Sequence, residues 1–213
     1  MFDLVESEGF YARTKRADAQ RGLGLKRGFD ILVAGALLPP LILFALALAL
    51  LNPLLNPGPV FFRQARMGQN CHPFVALKFR TMHGVDRGDR GAFDALEAGR
   101  VSRLGHLLRR LRIDELPQVI NVLRGEMSMI GPRPDALAHA QAYLRSVPDY
   151  ALRYRLRPGI SGYAQIAVGY VDTREAVLRK VAADLHYLAH RSFRFDLWIA
   201  WRTLVVILRR EGR

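Results

Sequence analysis

Ile31 to Leu51 form a run of 21 residues without one charged or strongly polar side chain, reading ILVAGALLPPLILFALALALL. As a helix the run would measure roughly 31 Å, close to the hydrocarbon thickness of a bilayer. A soluble helix keeps one polar face, so the run predicts membrane contact. A fully buried core helix is the alternative. A cleaved signal peptide fits poorly, because the run lies 30 residues into the chain, is too long and ends without a small-x-small cleavage site.

Pro39 and Pro40 interrupt the run. They remove two backbone donors and push Leu38 and Pro39, each preceding a proline, away from α geometry. Two half-helices of about 8 and 11 residues follow, roughly 12 and 16 Å long, and neither spans alone. Lys and Arg mark the cytoplasmic side of a membrane segment, and here both flanks qualify. Residues 1–27 carry six cations against four anions, and Arg63, Arg66, Lys78 and Arg80 follow the run. The economical solution is a re-entrant hairpin broken at Pro39 and Pro40, with both ends in the cytoplasm. A kinked spanning helix is tolerable in lipid and stands as the alternative. The division expected is an arm and membrane helix over 1–57 and a cytoplasmic domain over 58–213.

Across 213 residues, 32 Lys and Arg stand against 19 Asp and Glu, a formal charge of +13. That balance predicts polyanionic company: nucleic acid, an anionic membrane face or phosphorylated substrates. The length suits one domain with an appendage. A single cysteine excludes a disulfide scaffold and a Cys-rich zinc module.

Residues 1–24 read as a surface helix or arm, and Asn52-Pro53 and Asn56-Pro57-Gly58-Pro59 as turns closing the membrane part. Val60–Arg63 and Phe74–Phe79 flank a Met67-Gly68-Gln69-Asn70 turn and predict a small hairpin. His83 to Gly99, rich in Gly and Asp, predicts a loop. Residues 100–112, RVSRLGHLLRRLR, place Val101, Leu104, Leu107, Leu108 and Leu111 at helical spacing beside five arginines. This is the pattern of an interfacial helix, or of an ordinary surface helix over the core. Residues 193–210 repeat it with Trp198, Trp201, Val205 and Leu208 on one side. The fold class expected is α+β and helix-rich.

Asp114-Glu115-Leu116-Pro117-Gln118 pairs two carboxylates ahead of a helix expected over Leu116–Leu123, stopped near Gly125. Either acid could simply be an N-cap. A helix N-terminus also suits phosphate, and an ionised carboxylate there serves as a nucleophile or a Mg²⁺ ligand. Gly131-Pro132-Arg133-Pro134 is a rigid turn that aims one guanidinium, a group matched to phosphate oxygens. Arg157 to Gln165 form a second Pro/Gly turn, in which Tyr163 either stacks on a base or fills the core. Lys78-Phe79-Arg80-Thr81 ends a strand with two cations, which solvation alone would explain. His186 and His190 have metal-ligand spacing without an obvious third ligand, and Cys71-His72 and His83 are no more convincing. No Walker loop, GxGxxG or Ser-His-Asp order can be assembled.

Together these pieces resemble one family, the bacterial sugar transferases called monotopic phosphoglycosyl transferases, in their minimal catalytic-core form. The resemblance runs from Lys26 to about Gly212. It rests on KRGFD before the apolar run, GPVFFRQARMG after it, KFRTM, RIDELPQVINVLRGEMSMIGPRP, RPGISGYAQ and the late DLHYLAHRSFRFDL. Three features depart from it, one being an unusually Arg-rich polar face in the late segment. The family usually breaks the membrane helix with one proline about a turn later, and Tyr163 stands where Trp is common.

The resemblance implies transfer of a sugar phosphate from a UDP-sugar to polyprenyl (undecaprenyl) phosphate with release of UMP. This is a first membrane step of glycoconjugate or exopolysaccharide synthesis. It implies that Asp114 attacks the sugar-proximal phosphorus to give a covalent aspartyl-phosphosugar intermediate, and that Glu115 assists by taking a proton from the incoming polyprenyl phosphate. By the same resemblance Asp114 binds Mg²⁺, Lys78, Arg80 and Arg133 grip phosphates, and Arg157, Tyr163 and Gln165 lie near the nucleotide. The expected location is the bacterial inner membrane, with the catalytic domain on the cytoplasmic face against the anionic inner leaflet. Nucleic acid is not an expected partner, since no recognised module accompanies the charge; a homodimer is compatible with the reading. The sugar, the polymer and the polyprenol length stay open.

Overall fold

The apolar run folds as helix in the computed structural model, which describes residues 21–83, 98–169 and 173–209. Helix α1 covers Arg21–Ala36 and α2 covers Leu38–Leu55. The interruption is a single residue, Leu37, which itself keeps helical angles of φ −87° and ψ −5°. Leu38 and Pro39 therefore do not leave α geometry as expected. The prolines occupy the first positions of α2, where a missing N–H is tolerated. The ladder continues on both sides, with Leu37 N bonded to Val33 O and Leu41 N to Leu37 O, each at 3.1 Å. Asn52-Pro53 does not end the segment either. The helix runs through Pro53 and stops at Asn56.

Among the described residues, most of this helix pair has no protein cover. Leu32, Leu50 and Leu54 are 74%, 79% and 83% exposed, so a buried core helix is excluded. One narrow stripe does pack inward. Ala34, Leu41 and Leu48 join Phe79, Leu108, Val119, Val122 and Met127 in the first core cluster.

The predicted hairpin forms with a longer first strand. β1 (Phe61–Met67) pairs antiparallel with β2 (Pro73–Phe79), in register Phe61↔Phe79 to Met67↔Pro73. The connection is Gly68 to His72, in which Asn70 and Cys71 take left-handed angles. Helix α3 is shorter than predicted, Arg103–Arg110, because Ser102 caps it by accepting from Gly105 N at 2.8 Å. Its apolar stripe divides: Leu108 is buried, while Leu107 is 53% exposed.

After α3 come a 3-10 turn at Ile113–Glu115, helix α4 (Gln118–Leu123) and strand β3 (Ser128–Ile130). Helix α5 (Leu137–Ser146), a second 3-10 turn at Tyr150–Arg155 and strand β4 (Gly159–Ser161) follow. The chain closes with α6 (Tyr163–Ala167), α7 (Arg174–His190) and α8 (Phe193–Leu208). β3 and β4 form a two-stranded parallel pair, Ser128↔Gly159 and Ile130↔Ser161, which the sequence did not announce. On α8, Ile199 is fully buried, while Trp198 and Trp201 are 44% and 63% exposed.

Two further clusters form among the described residues. Met67, Tyr143, Tyr150, Tyr154, Val177 and Val181 tie α5 and α7 to the hairpin, and Ile130, Tyr187 and Ile199 tie β3 to α7 and α8. The arm expected at residues 1–24 and the loop expected at 83–99 lie largely outside the described residues.

Candidate active site

The chain turns sharply where α3 ends. Arg112 adopts left-handed angles, φ 58° and ψ 16°, which a non-glycine residue takes at some cost. The 3-10 turn that follows brings Asp114 and Glu115 inside, 8% and 7% exposed. Neither acid caps α4. Pro117 holds the cap position and receives no side-chain bond, and three N–H groups around the helix start are bonded to the backbone: Leu116 N to Ile113 O, Val119 N to Leu116 O and Ile120 N to Pro117 O. The capping reading therefore fails. The carboxylates are buried for another reason: cations surround them.

Glu115 takes most of that charge. Lys78 Nζ, from the end of β2, lies 3.3 Å from Glu115 Oε1. Arg133 meets the carboxylate with both terminal nitrogens, Nη1 donating to Oε2 at 2.9 Å and Nη2 to Oε1. Arg112 Nη1 stands 3.9 Å from Oε2. Burial alone would raise the Glu115 pKa. Arg133 and then Lys78 overcome it and hold the carboxyl well below the usual range. Asp114 behaves oppositely. Burial, then the charge of Glu115, raises its pKa against the pull of Lys78, Arg133 and Arg109. Among the described residues its buried Oδ1 has no hydrogen-bond partner. Lys78 is lowered to about 8 by burial and then by Arg66, with Glu115 opposing.

Lys78 and Arg133 thus meet at the acid pair. Arg80 is placed elsewhere: its guanidinium lies against Gly58, where an added Cβ would stand 2.5 Å from Nη1, and its Nε donates to Met82 O at 3.1 Å. Gly131-Pro132-Arg133 abuts the second Pro/Gly turn directly. Gly131 N donates to Ser161 O at 2.9 Å, Gly159 N to Pro132 O at 3.0 Å, and Arg133 Nη1 also to Ile160 O at 3.3 Å. Of the three residues expected near a nucleotide, Arg157 is exposed. Tyr163 packs on His186, Phe195 and Trp198 with ring centroids 5.3–6.3 Å away, so it fills an aromatic cluster. Gln165 keeps a buried Oε1 without a partner among the described residues.

Two components escaped the sequence reading. Arg66 was counted only as a flanking charge. In β1, Phe62, Gln64 and Arg66 alternate inward, and Arg66 reaches Gln64 Oε1 and Pro134 O. Burial, then the nearby Arg133, lowers it to about 10. The strand period of two could have signalled this placement. The second component is Arg153, fully buried behind the Arg133 turn. It donates Nη2 to Arg133 O at 2.7 Å, Nε to Asp184 Oδ2 at 2.8 Å and Nη1 to Asp135 Oδ2 at 2.5 Å. Asp135 also receives Lys180 and Tyr150. Nothing local in the sequence marks that network, because its members come from three distant segments.

A metal ion fits one position here. The unpartnered, buried Oδ1 of Asp114 is a suitable oxygen ligand, and Mg²⁺ commonly takes one or two carboxylates with water and phosphate completing its shell. No group of three or more His, Cys, Asp or Glu forms a closed metal cage among the described residues.

A family model described as bacterial sugar transferase matches residues 21–210. A UDP-glucose:undecaprenyl-phosphate glucose-1-phosphate transferase of Caulobacter vibrioides is 43% identical over 189 residues, covering 86% of this chain and 67% of that protein. A UDP-N-acetylgalactosamine-undecaprenyl-phosphate N-acetylgalactosaminephosphotransferase of Aeromonas hydrophila is 40% identical over 190 residues, covering 86% and 44%. An exopolysaccharide production protein PSS of Rhizobium leguminosarum bv. phaseoli is 39% identical over 194 residues, covering 88% and 97%. The chain therefore spans less than half of one of these relatives and nearly all of another.

Proposed function

The chain belongs to the bacterial sugar transferase family, and from that premise we propose that it is a phosphoglycosyl transferase acting on a UDP-sugar and polyprenyl phosphate. One observation carries the reading. A buried carboxylate with an unpartnered oxygen, Asp114, stands beside a second carboxylate that holds Lys78 and Arg133 in place.

The first step joins an Asp114 carboxylate oxygen to the sugar-proximal phosphorus. The P–O bond to the uridylyl phosphate breaks and UMP leaves with the electron pair. A phosphate oxygen of polyprenyl phosphate then attacks the same phosphorus and breaks its bond to Asp114. The carboxylate is restored and the polyprenyl-diphosphate sugar departs. Splitting the transfer lets two bulky anions react in turn. Lys78 and Arg133 offset charge on the phosphoryl oxygens, which is where such reactions gain most. Mg²⁺ on Asp114 would add further charge neutralisation. A raised pKa strengthens Asp114 as a nucleophile once it is ionised. Glu115, held strongly ionised, is suited in this arrangement to orienting the two cations; it takes a proton only if phosphate draws Lys78 and Arg133 away from it.

A seat in the inner membrane with the catalytic domain on its cytoplasmic face completes the proposal. Both ends of the apolar helix pair bond to one body. Arg27 donates to the end of α4, Asn56 Nδ2 donates to Arg80 O at 3.1 Å, and Asn121 of α4 is bonded to β2. A spanning helix would leave its two ends roughly 45 Å apart on opposite sides of the bilayer. Shared attachment supports the re-entrant form, with both ends of the helix pair on one side of the bilayer, and favours a site near the lipid headgroup of the acceptor.

Purified protein in lipid nanodiscs with undecaprenyl phosphate is expected to release UMP from at least one member of a UDP-sugar panel. Asp114→Asn and Asp114→Ala should abolish turnover. Mass spectrometry of acceptor-free enzyme given UDP-sugar should find a sugar-phosphate adduct on Asp114. Full turnover by both variants, or an adduct on another residue, refutes the nucleophile assignment.

A further inference from the structure

The first turns of α1 carry Lys26, Arg27 and Asp30 at the base of the apolar helix, where cations ordinarily face headgroups. Here all three turn into the protein. Lys26 Nζ donates to Ile130 O and to Asp196 Oδ2, both at 2.9 Å. Asp196 is 3% exposed and also accepts from Tyr187 OH at 2.6 Å. Arg27 donates to Val122 O at 2.7 Å and Leu123 O at 3.1 Å, the last carbonyls of α4, where a cation is favoured. Asp30 is 2% exposed and accepts from Ser128 Oγ at 3.0 Å and Met129 N at 2.9 Å. Phe29 adds an edge-on contact with Phe193 of α8, centroids 5.8 Å apart.

Two of the elements so gripped adjoin the site. α4 begins three residues after Glu115. β3 ends three residues before Arg133, which holds Glu115. α8 presents Trp198 and Trp201 outward. We propose that Lys26, Arg27 and Asp30 are positioning residues: a polar clasp that fixes the membrane helix to both site-bearing segments and so sets the height of Asp114 over the bilayer. This role rests on the proposed transferase reading. It predicts a specific asymmetry, because a lipid-embedded acceptor cannot follow a displaced site whereas a dissolved one can. A misplacement near 1 Å costs on the order of 100-fold in rate.

The test uses the full chain in nanodiscs and three proteins: Asp30→Asn, Arg27→Met and the double variant Lys26→Met/Asp196→Asn. The double variant leaves no buried carboxylate unpaired, and an acceptor remains for Tyr187, so it keeps the fold if a single change does not. Two readouts are taken. Turnover with bilayer-embedded undecaprenyl phosphate should fall at least about tenfold more than turnover with a water-soluble short-chain polyprenyl phosphate. The chain's two tryptophans, Trp198 and Trp201, should change their quenching by lipids brominated at different acyl depths. Equal losses with both acceptors, or a quenching profile identical to that of the unmodified chain, overturn the clasp. The quenching readout needs no turnover. If no UDP-sugar yields UMP, the transferase reading fails while the clasp is still decided by depth.

Discussion

The pH dependence of substrate capture follows from Lys78. Burial, then Arg66, lowers this ammonium to about 8, far below an ordinary lysine. In the free protein, roughly nine tenths of Lys78 is charged at pH 7 and roughly one tenth at pH 9. If that charge is needed to hold the diphosphate, kcat/KM for the UDP-sugar falls about tenfold across this interval, since kcat/KM reports the ionisations of free enzyme. The stability term has the opposite sign. Between about 8 and the unfolded lysine value the unfolded chain binds more protons, so this group's contribution to stability rises with pH. Loss of activity from pH 7 to 9 is therefore not loss of fold through this group. The assay is initial-rate UMP release in nanodiscs from pH 6.5 to 9.5 at constant magnesium, for the unmodified chain and for Lys78→Arg. Arginine remains charged throughout, so its profile should lose the alkaline fall. Ionisation of the uracil ring is common to both proteins and cancels in their ratio. An identical alkaline limb in Lys78→Arg, or a flat profile to pH 9.5 in the unmodified chain, would refute the reasoning.

Two further outcomes test the scaffold behind the site. Arg153→Met strips Asp184 and Asp135 of a fully buried partner, which costs about 3–5 kcal/mol and lowers Tm by roughly 6–20 °C for a chain of this size; calorimetry in detergent reads it, and a shift under about 2 °C contradicts the network's role. Gly159→Ala would set a Cβ 2.1 Å from Gly131 N and 2.5 Å from Gly131 O, both backbone atoms, so β3 and β4 must part and Arg133 must move. Its loss of UMP release should contrast with Gly28→Ala, where nothing lies within 4 Å and a helical alanine adds about 0.5–1 kcal/mol; equal activity in the two variants rejects the close approach.

Local chemistry was legible wherever neighbours in sequence decide the structure. The unbroken apolar character of residues 31–51 fixed a helix without a polar face, and its exposed leucines bear this out. Alternation and turn residues gave the β1–β2 hairpin, and the spacing of leucines and arginines gave α3 to within a few residues. The prolines misled at Leu38 and at Pro53, because one missing donor is cheaper than ending a helix whose remaining residues all favour it. The candidate site was visible as parts: an acid pair, a KFR strand end and a GPRP turn. Which parts meet was not visible. Lys78 and Arg133 converge on Glu115 while Arg80 turns to Gly58, and Tyr163 joins an aromatic cluster. Arg66, Arg153 and the Lys26–Asp196 pair acquire meaning only through partners up to 170 residues away. Sequence alone determines what each segment must bury and what each side chain can bond, because those are local free energies. Only the tertiary structure decides which charges share a pocket, because a pKa or an ion pair depends on distances that the order of residues does not contain.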